Sequence, residues 1–215
     1  MTVEIVPGRR ASVGAGEVTR LLPYRTRRTV GAWCFADHFG PESVDDAPMA
    51  VGPHPHIGLQ TVTWLFEGEA RHTDSLGSDQ LIRPGQLNLM TSGRGIAHAE
   101  QSPAGSTGTL HGMQLWVALP EATRHGPGAF EHLSELPEVE LPGATVRVLV
   151  GSLGEVTSPA GVEWPIIGVE LTLHGEVEVP VDPAHEHAVL TVEEPVTVDG
   201  VVVEPGTTAY LAPGA

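Results

Sequence analysis

An all-β protein built from two copies of one β unit is the architecture this sequence predicts, on three observations. Gly and Pro, 26 and 19 of 215 residues, make up about a fifth of the chain and are set among frequent Val and Thr. Turns must then be dense and elements short, which favours a sandwich or barrel over a helical bundle. The stretch from His54 to Met90 reads as strand, turn, strand: "LQTVTWLF" is β-rich, "EGEARHTDSLGSD" carries turn residues, and "QLIRPGQLNLM" resumes the strand character. Finally, the chain echoes itself. His54-Pro55-His56 returns as His185-Glu186-His187, Pro84-Gly85 as Pro205-Gly206, and "LNLMTSG" after the first Pro-Gly as "TAYLAPG" after the second.

Taken in order, the chain opens on an arginine-rich segment. Six of the eleven basic residues, all Arg, lie between Arg9 and Arg28. It reads as a solvated surface strand, with a local anion patch as the alternative. The first β unit follows, with two same-face pairs. His54 and His56 are two apart on one strand, and so are His98 and Glu100 in "SGRGIAHAE". In the middle, Phe130, Leu133 and Leu136 of "FEHLSELPEVE" recur at helical spacing, and one short helix is expected there. The second copy is ten residues shorter between its HxH and its Pro-Gly, and the sequence stops one residue beyond the position matching Gly93. The expected division is therefore 1–125 for a metal-binding domain and 126–215 for an incomplete second unit that binds no metal.

Charge and composition exclude several function classes. The net charge is −16, and from Thr29 onward five Arg face 25 acidic residues, so polyanions are repelled and direct nucleic-acid binding is disfavoured. Cys34 is the single cysteine, which rules out an internal disulfide and suits a reducing compartment. "MTVEIVPGRR" has charges where the apolar part of a secretory signal should begin, and no apolar stretch is long enough to span a bilayer. The expectation is a soluble cytoplasmic protein without a membrane role. There is no Gly-x-Ser-x-Gly elbow, phosphate loop or Cys-x-x-Cys.

What remains is the cluster His54, His56, His98 and Glu100. Three imidazoles and one carboxylate converging inside a barrel make a site for a divalent transition ion, with Fe(II), Mn, Co, Ni, Cu and Zn all compatible. Four protein ligands on an octahedral ion leave two positions for a chelating substrate or for substrate plus dioxygen. Val62, Trp64 and Phe66 share the face parity of His54 and His56, which makes them candidates to line an aromatic pocket, with plain core packing as the favoured reading of each alone. His72 falls in an expected turn, and His125, His132 and His174 sit among polar or loop residues. His38 and His111 occur in strand-like contexts, as structural histidines or as partners of the ligands. Cys34 in "AWCFADHF" reads as a small buried apolar residue.

At these residues a family resemblance emerges. "HPHIGLQTVTWLFEGEARHTDSLG", "IRPGQLNLMTSGRGIAHAE" and "HGMQLWVALP" resemble pirin, a two-domain member of the cupin superfamily, and "VRVLVGSLGEVTSP" resembles the start of the second pirin domain. The resemblance runs from about Trp33 to Pro159 and continues more weakly to the end. It implies tandem double-stranded β-helix barrels (a bicupin) with a shortened C-terminal barrel, iron held by the residues matching His54, His56, His98 and Glu100, and no metal in the second barrel. Gln60 stands where pirins commonly carry Glu, and Ile57 where Arg is more usual, so the charge behind the metal ligands and a pocket-mouth contact are expected to differ. By the resemblance, the protein is a quercetin 2,3-dioxygenase-type enzyme that cleaves a flavonol with dioxygen, with Glu100 as general base. The alternative from another class is a non-catalytic metal- or redox-sensing regulator acting through a protein partner. A third is a metal-free β protein whose histidines are remnants.

Overall fold

In the computed structural model of the chain, which describes residues 2–14 and 16–214, every regular element is a strand, and no helix occurs among the described residues. The first unit is two facing antiparallel sheets. One has seven strands, in spatial order Ala129–Leu133, Leu87–Thr91, Leu59–Glu67, Thr109–Ala118, Trp33–Ser43, Gly16–Leu22 and Arg9–Val13. The other has four, in the order Ala50–His56, Ile96–Gln101, Ala70–Asp74 and Asp79–Ile82. Leu65, Leu110 and Phe39 of the larger sheet meet Ala70 and Ile82 of the smaller, closing the interior at one end with apolar side chains.

The second unit repeats the plan with less material. Glu138–Leu141, Ala144–Val150 and Gly168–Leu173 form one sheet, and Val3–Pro7, Thr207–Leu211 and His187–Leu190 another. Val146, Val148 and Leu153 anchor its core. The expected division at residue 125 does not follow these sheets. Val3–Pro7 pairs with Thr207–Leu211, in register from Val3 opposite Leu211 to Pro7 opposite Thr207, so the first strand belongs to the second unit. Ala129–Leu133, placed in the second unit by sequence, extends the sheet of the first.

That same strand corrects the helix expected around Phe130. Phe130 lies opposite Met90 and Leu133 opposite Leu87, in an antiparallel ladder. The free edge of Leu87–Thr91 offered hydrogen bonds and a core to pack on, and Pro127 and Pro137 bracket too short a stretch for a helix. Leu133 and Leu136 settle against the largest core cluster, where Val62, Trp64, Leu87 and Leu89 of the first unit meet Leu149, Val150 and Ala160 of the second. The two units thus share one apolar seam. Polar contacts reinforce it: Trp64 Nε1 donates to Glu170 Oε1 at 3.1 Å, and Trp33 Nε1 to the Ile167 carbonyl at 3.3 Å.

One turn decides what faces the interior. After His56 the chain crosses from the small sheet to the large one through Ile57 and Gly58, and Gly58 takes a φ of 70°, a left-handed conformation that favours glycine. The alternation of side chains does not carry through. Val62 and Trp64 therefore point into the seam rather than into the space occupied by His54 and His56, and Phe66 packs on the apolar residues beyond it. The three serve the core, the favoured reading of each, and the aromatic lining is not what the fold builds.

Candidate metal centre

The site is assembled by cross-strand pairing. His98 lies directly opposite His54, and Ile96 opposite His56, on the adjacent strands Ile96–Gln101 and Ala50–His56. A bulge between His98 and Glu100 resets the register, so that Glu100 faces Val51. The ring centroids of His54, His56 and His98 are 4.4 to 5.0 Å apart. Their ligand atoms all lie within 4.8 Å of one another. A second cluster of the same tightness contains His72, His98 and Glu100, sharing His98 with the first. Glu100 is thus joined to the three-histidine group through His98 rather than lying equally close to all three imidazoles.

Each donor is prepared differently. His54 Nδ1 is 2.9 Å from the Gly52 carbonyl, to which it can only donate, leaving Nε2 with its lone pair. His98 Nε2 is buried and has no hydrogen-bond partner. An unmatched nitrogen in such a place costs stability unless something fills the gap, and a metal ion fits the donor set. Burial, then the neighbouring His54, holds the His56 pKa at about 4. Burial, then His54, His56 and His72, holds that of His98 at about 3, against the partial opposition of Asp74. Both rings are neutral at pH 7, the state that ligates metal. Burial raises the Glu100 pKa, opposed by His72, by the Thr63 hydroxyl and by His54. Thr63 Oγ1 lies 3.2 Å from Glu100 Oε1 and 3.0 Å from the Gln114 side-chain oxygen, but its single proton serves one acceptor. With the Gln114 amide turned so that its nitrogen faces Thr63, Gln114 donates to Thr63 and Thr63 to Glu100, so each of the two contacts joins a donor to an acceptor.

A cavity of about 530 Å³ opens onto these residues, within the size range of small-ligand sites. Its walls come mainly from the large sheet. Phe35 and Trp116 stack with centroids 3.8 Å apart, and Trp116 meets His56 edge-on at 4.9 Å. Arg20 lies over the other part of this wall, 4.5 Å from the Phe35 centroid, and grips Asp37 through two bonds of 2.8 and 2.7 Å. That bidentate contact raises the Arg20 pKa.

Comparison with known proteins gives this site a context. Residues 15–117 match the family model described as Pirin. A Pseudomonas aeruginosa protein named "Putative quercetin 2,3-dioxygenase" is 44% identical over 213 residues, covering 97% of this chain and 67% of the relative. The chain belongs to the pirin family. This pirin is also similar to the crystal structure of a quercetin 2,3-dioxygenase from Acinetobacter baumannii, with 43% identity and a TM-score of 0.94 over 99% of this chain and 72% of that one. Its tandem cupin fold further matches the Escherichia coli pirin YhhW, solved in complex with nickel(II), with 15% identity and a TM-score of 0.57 over 98% of this chain and 90% of that one.

Several other residues of this pirin lie elsewhere than the sequence suggested. Gln60 is fully buried at the seam, its amide donating to Thr91 Oγ1 and to the Gly161 carbonyl at 2.9 Å each, so this neutral side chain serves the seam and not the donors. Ile57 is 60% exposed. His38 and His111 pair with each other, Nε2 to Nε2 at 2.7 Å, beside Phe66 and away from the donors. Cys34 is half-buried, and burial pushes its thiol pKa up. His132 bonds Asn88 from the added strand Ala129–Leu133.

The main residue the sequence reading missed is His72. It sits on the strand Ala70–Asp74, not in a turn, with Nδ1 3.4 Å from His98 Nδ1 and Nε2 3.1 Å from Asp74 Oδ2. Its ring stacks on Phe130, centroids 4.4 Å apart. The signal was present: "RHTD" puts His72 and Asp74 two residues apart, the same spacing as His54 with His56 and His98 with Glu100. Phe35, Trp116 and Arg20 had no such signal, because they reach the cavity from three different strands.

Proposed function

We propose that this pirin is a metal-dependent dioxygenase of the quercetin 2,3-dioxygenase type, with His54, His56, His98 and Glu100 holding one divalent ion, iron being the first candidate and Mn, Co, Ni, Cu and Zn compatible with the same donors. The buried, unmatched Nε2 of His98 at the floor of an aromatic-walled cavity carries this reading. The names of the relatives support it.

A bound ion supplies Lewis acidity and a point of chelation for the hydroxyl and carbonyl oxygens of a flavonol-like substrate. The protein supplies the rest. Trp116, stacked on Phe35 and set beside His56, offers an apolar wall for the flavonol rings. Glu100, the one carboxylate among the four donors, is the base for the flavonol hydroxyl and must let go of the ion to take that proton. Thr63 holds the carboxylate in place through Oε1 and hands off no proton of its own. Dioxygen is the second substrate.

The test is to load the protein with Fe(II), supply quercetin under air and follow the flavonol absorbance. Metal-dependent loss, abolished in Glu100→Gln with metal still bound, is the expected result. Stable absorbance with a fully loaded site removes the enzyme reading.

A further inference from the structure

The three same-spacing pairs on neighbouring strands do more than collect donors. His98 uses its two nitrogens in opposite directions. Nε2 is buried and unmatched, while Nδ1 faces His72 Nδ1 at 3.4 Å. His72 Nε2 in turn lies 3.1 Å from Asp74 Oδ2, a carboxylate with a fully buried side chain. The other carboxylate oxygen, Oδ1, accepts the backbone N–H groups of Leu76 at 2.8 Å and Ser78 at 3.1 Å. Asp74 is therefore locked in orientation, with Oδ2 left for the imidazole.

The proton positions along this chain follow from donor and acceptor counting. An ionised carboxylate only accepts, so His72 carries its proton on Nε2. A neutral His72 then has a lone pair on Nδ1. That lone pair can only receive, so the proton of His98 must sit on its Nδ1. His98 Nε2 is left with a free lone pair, aimed at the space it shares with His54 and His56. We infer that Asp74 and His72 are positioning residues, forming a relay Asp74–His72–His98 that fixes the tautomer of His98 and presents its Nε2 lone pair to the metal. The Phe130 ring stacked on His72 holds the middle imidazole in plane. Outer partners of metal-binding histidines act in this way in general. Here the carboxylate reaches its ligand through a second imidazole.

This inference rests on the metal reading but has a readout independent of it. Nitrogen-15 NMR of the metal-free protein at neutral pH reports which nitrogen of each ring carries the proton. The wild type is expected to show His72 protonated on Nε2 and His98 on Nδ1. Asp74→Asn is the sharp variant. Its Oδ1 can still accept from Leu76 and Ser78, while its amide nitrogen donates to His72 Nε2 and reverses both tautomers. The same variant is expected to weaken metal binding by about 10–100-fold in a chelator competition, with an unchanged thermal midpoint of the metal-free protein. At position 72, His72→Phe should lose affinity to the same degree and His72→Gln should recover part of it, because the Gln oxygen can accept from His98 Nδ1. This pair of variants serves equally well if Asp74→Asn does not fold. A wild-type His98 protonated on Nε2, or equal metal affinity in His72→Phe and wild type, overturns the relay. Correct tautomers and metal affinities without any flavonol loss support the relay and sink only the enzyme reading.

Discussion

The two units carry the same histidine spacing and put it to opposite uses. In the first, His54 and His56 lie on a strand whose neighbour sets His98 directly across from His54. In the second, His187 begins its strand opposite Leu211, and His185 is exposed in the bend before it. His187 Nε2 is also spoken for, 2.8 Å from the Asp182 carbonyl. A pair of histidines at this spacing fixes a face, but the strand across from it decides whether that face becomes a site. Donors come from "GRGIAHAE" in one unit, whereas in the other Leu211 stands across from His187 and no strand residue pairs with His185.

The contrast can be broken or sharpened by measurement. The largest effect is expected where the units are fused. Trp64→Ala removes the biggest side chain of the seam and the bond to Glu170, and should cost about 3–5 kcal/mol in urea unfolding. If the units were independent, the loss would be confined to one of two separate transitions; a shared seam gives one. Next, His98→Ala is expected to weaken metal binding by roughly 100-fold or more, the upper end of what loss of even an outer partner costs.

Acid should distinguish the units further. His38 is held at about 4 by burial and by His111, against an ordinary value near 6.5, and His56 and His98 are depressed as well. The folded state therefore binds fewer protons than the unfolded one between these values. Its stability is fully present above about pH 6.5 and is lost as the pH falls through 4 toward about 3. The thermal midpoint of the metal-free protein should drop across that window, and a flat profile would show that these imidazoles titrate normally. The smallest effect belongs to the second unit: His187→Ala should change stability by no more than about 0.5 kcal/mol and leave metal affinity untouched.

Much of this was legible before any coordinates. Gly and Pro density announced the β class, the echo announced two units, and two-residue spacing picked out His54, His56, His98 and Glu100 as candidates, which the fold gathers into two clusters joined at His98. Each is a local property of the chain. What escaped was set by distant partners. The parity of Val62, Trp64 and Phe66 broke because Gly58 moves the chain from one sheet to the other. Phe130 became a strand because Leu87–Thr91 left an edge to fill. His72 looked like turn text until its strand paired with Ile96–Gln101.

The clasp of Val3–Pro7 on Thr207–Leu211 has a consequence for biosynthesis. Val3–Pro7 emerges from the ribosome well before its hydrogen-bonding partner exists. The histidine-bearing barrel needs nothing beyond Leu133 for its two sheets and can assemble on the nascent chain. That strand must wait, its backbone unpaired, until Thr207–Leu211 has been made. Residues made early thus complete a sheet only after residues made much later arrive.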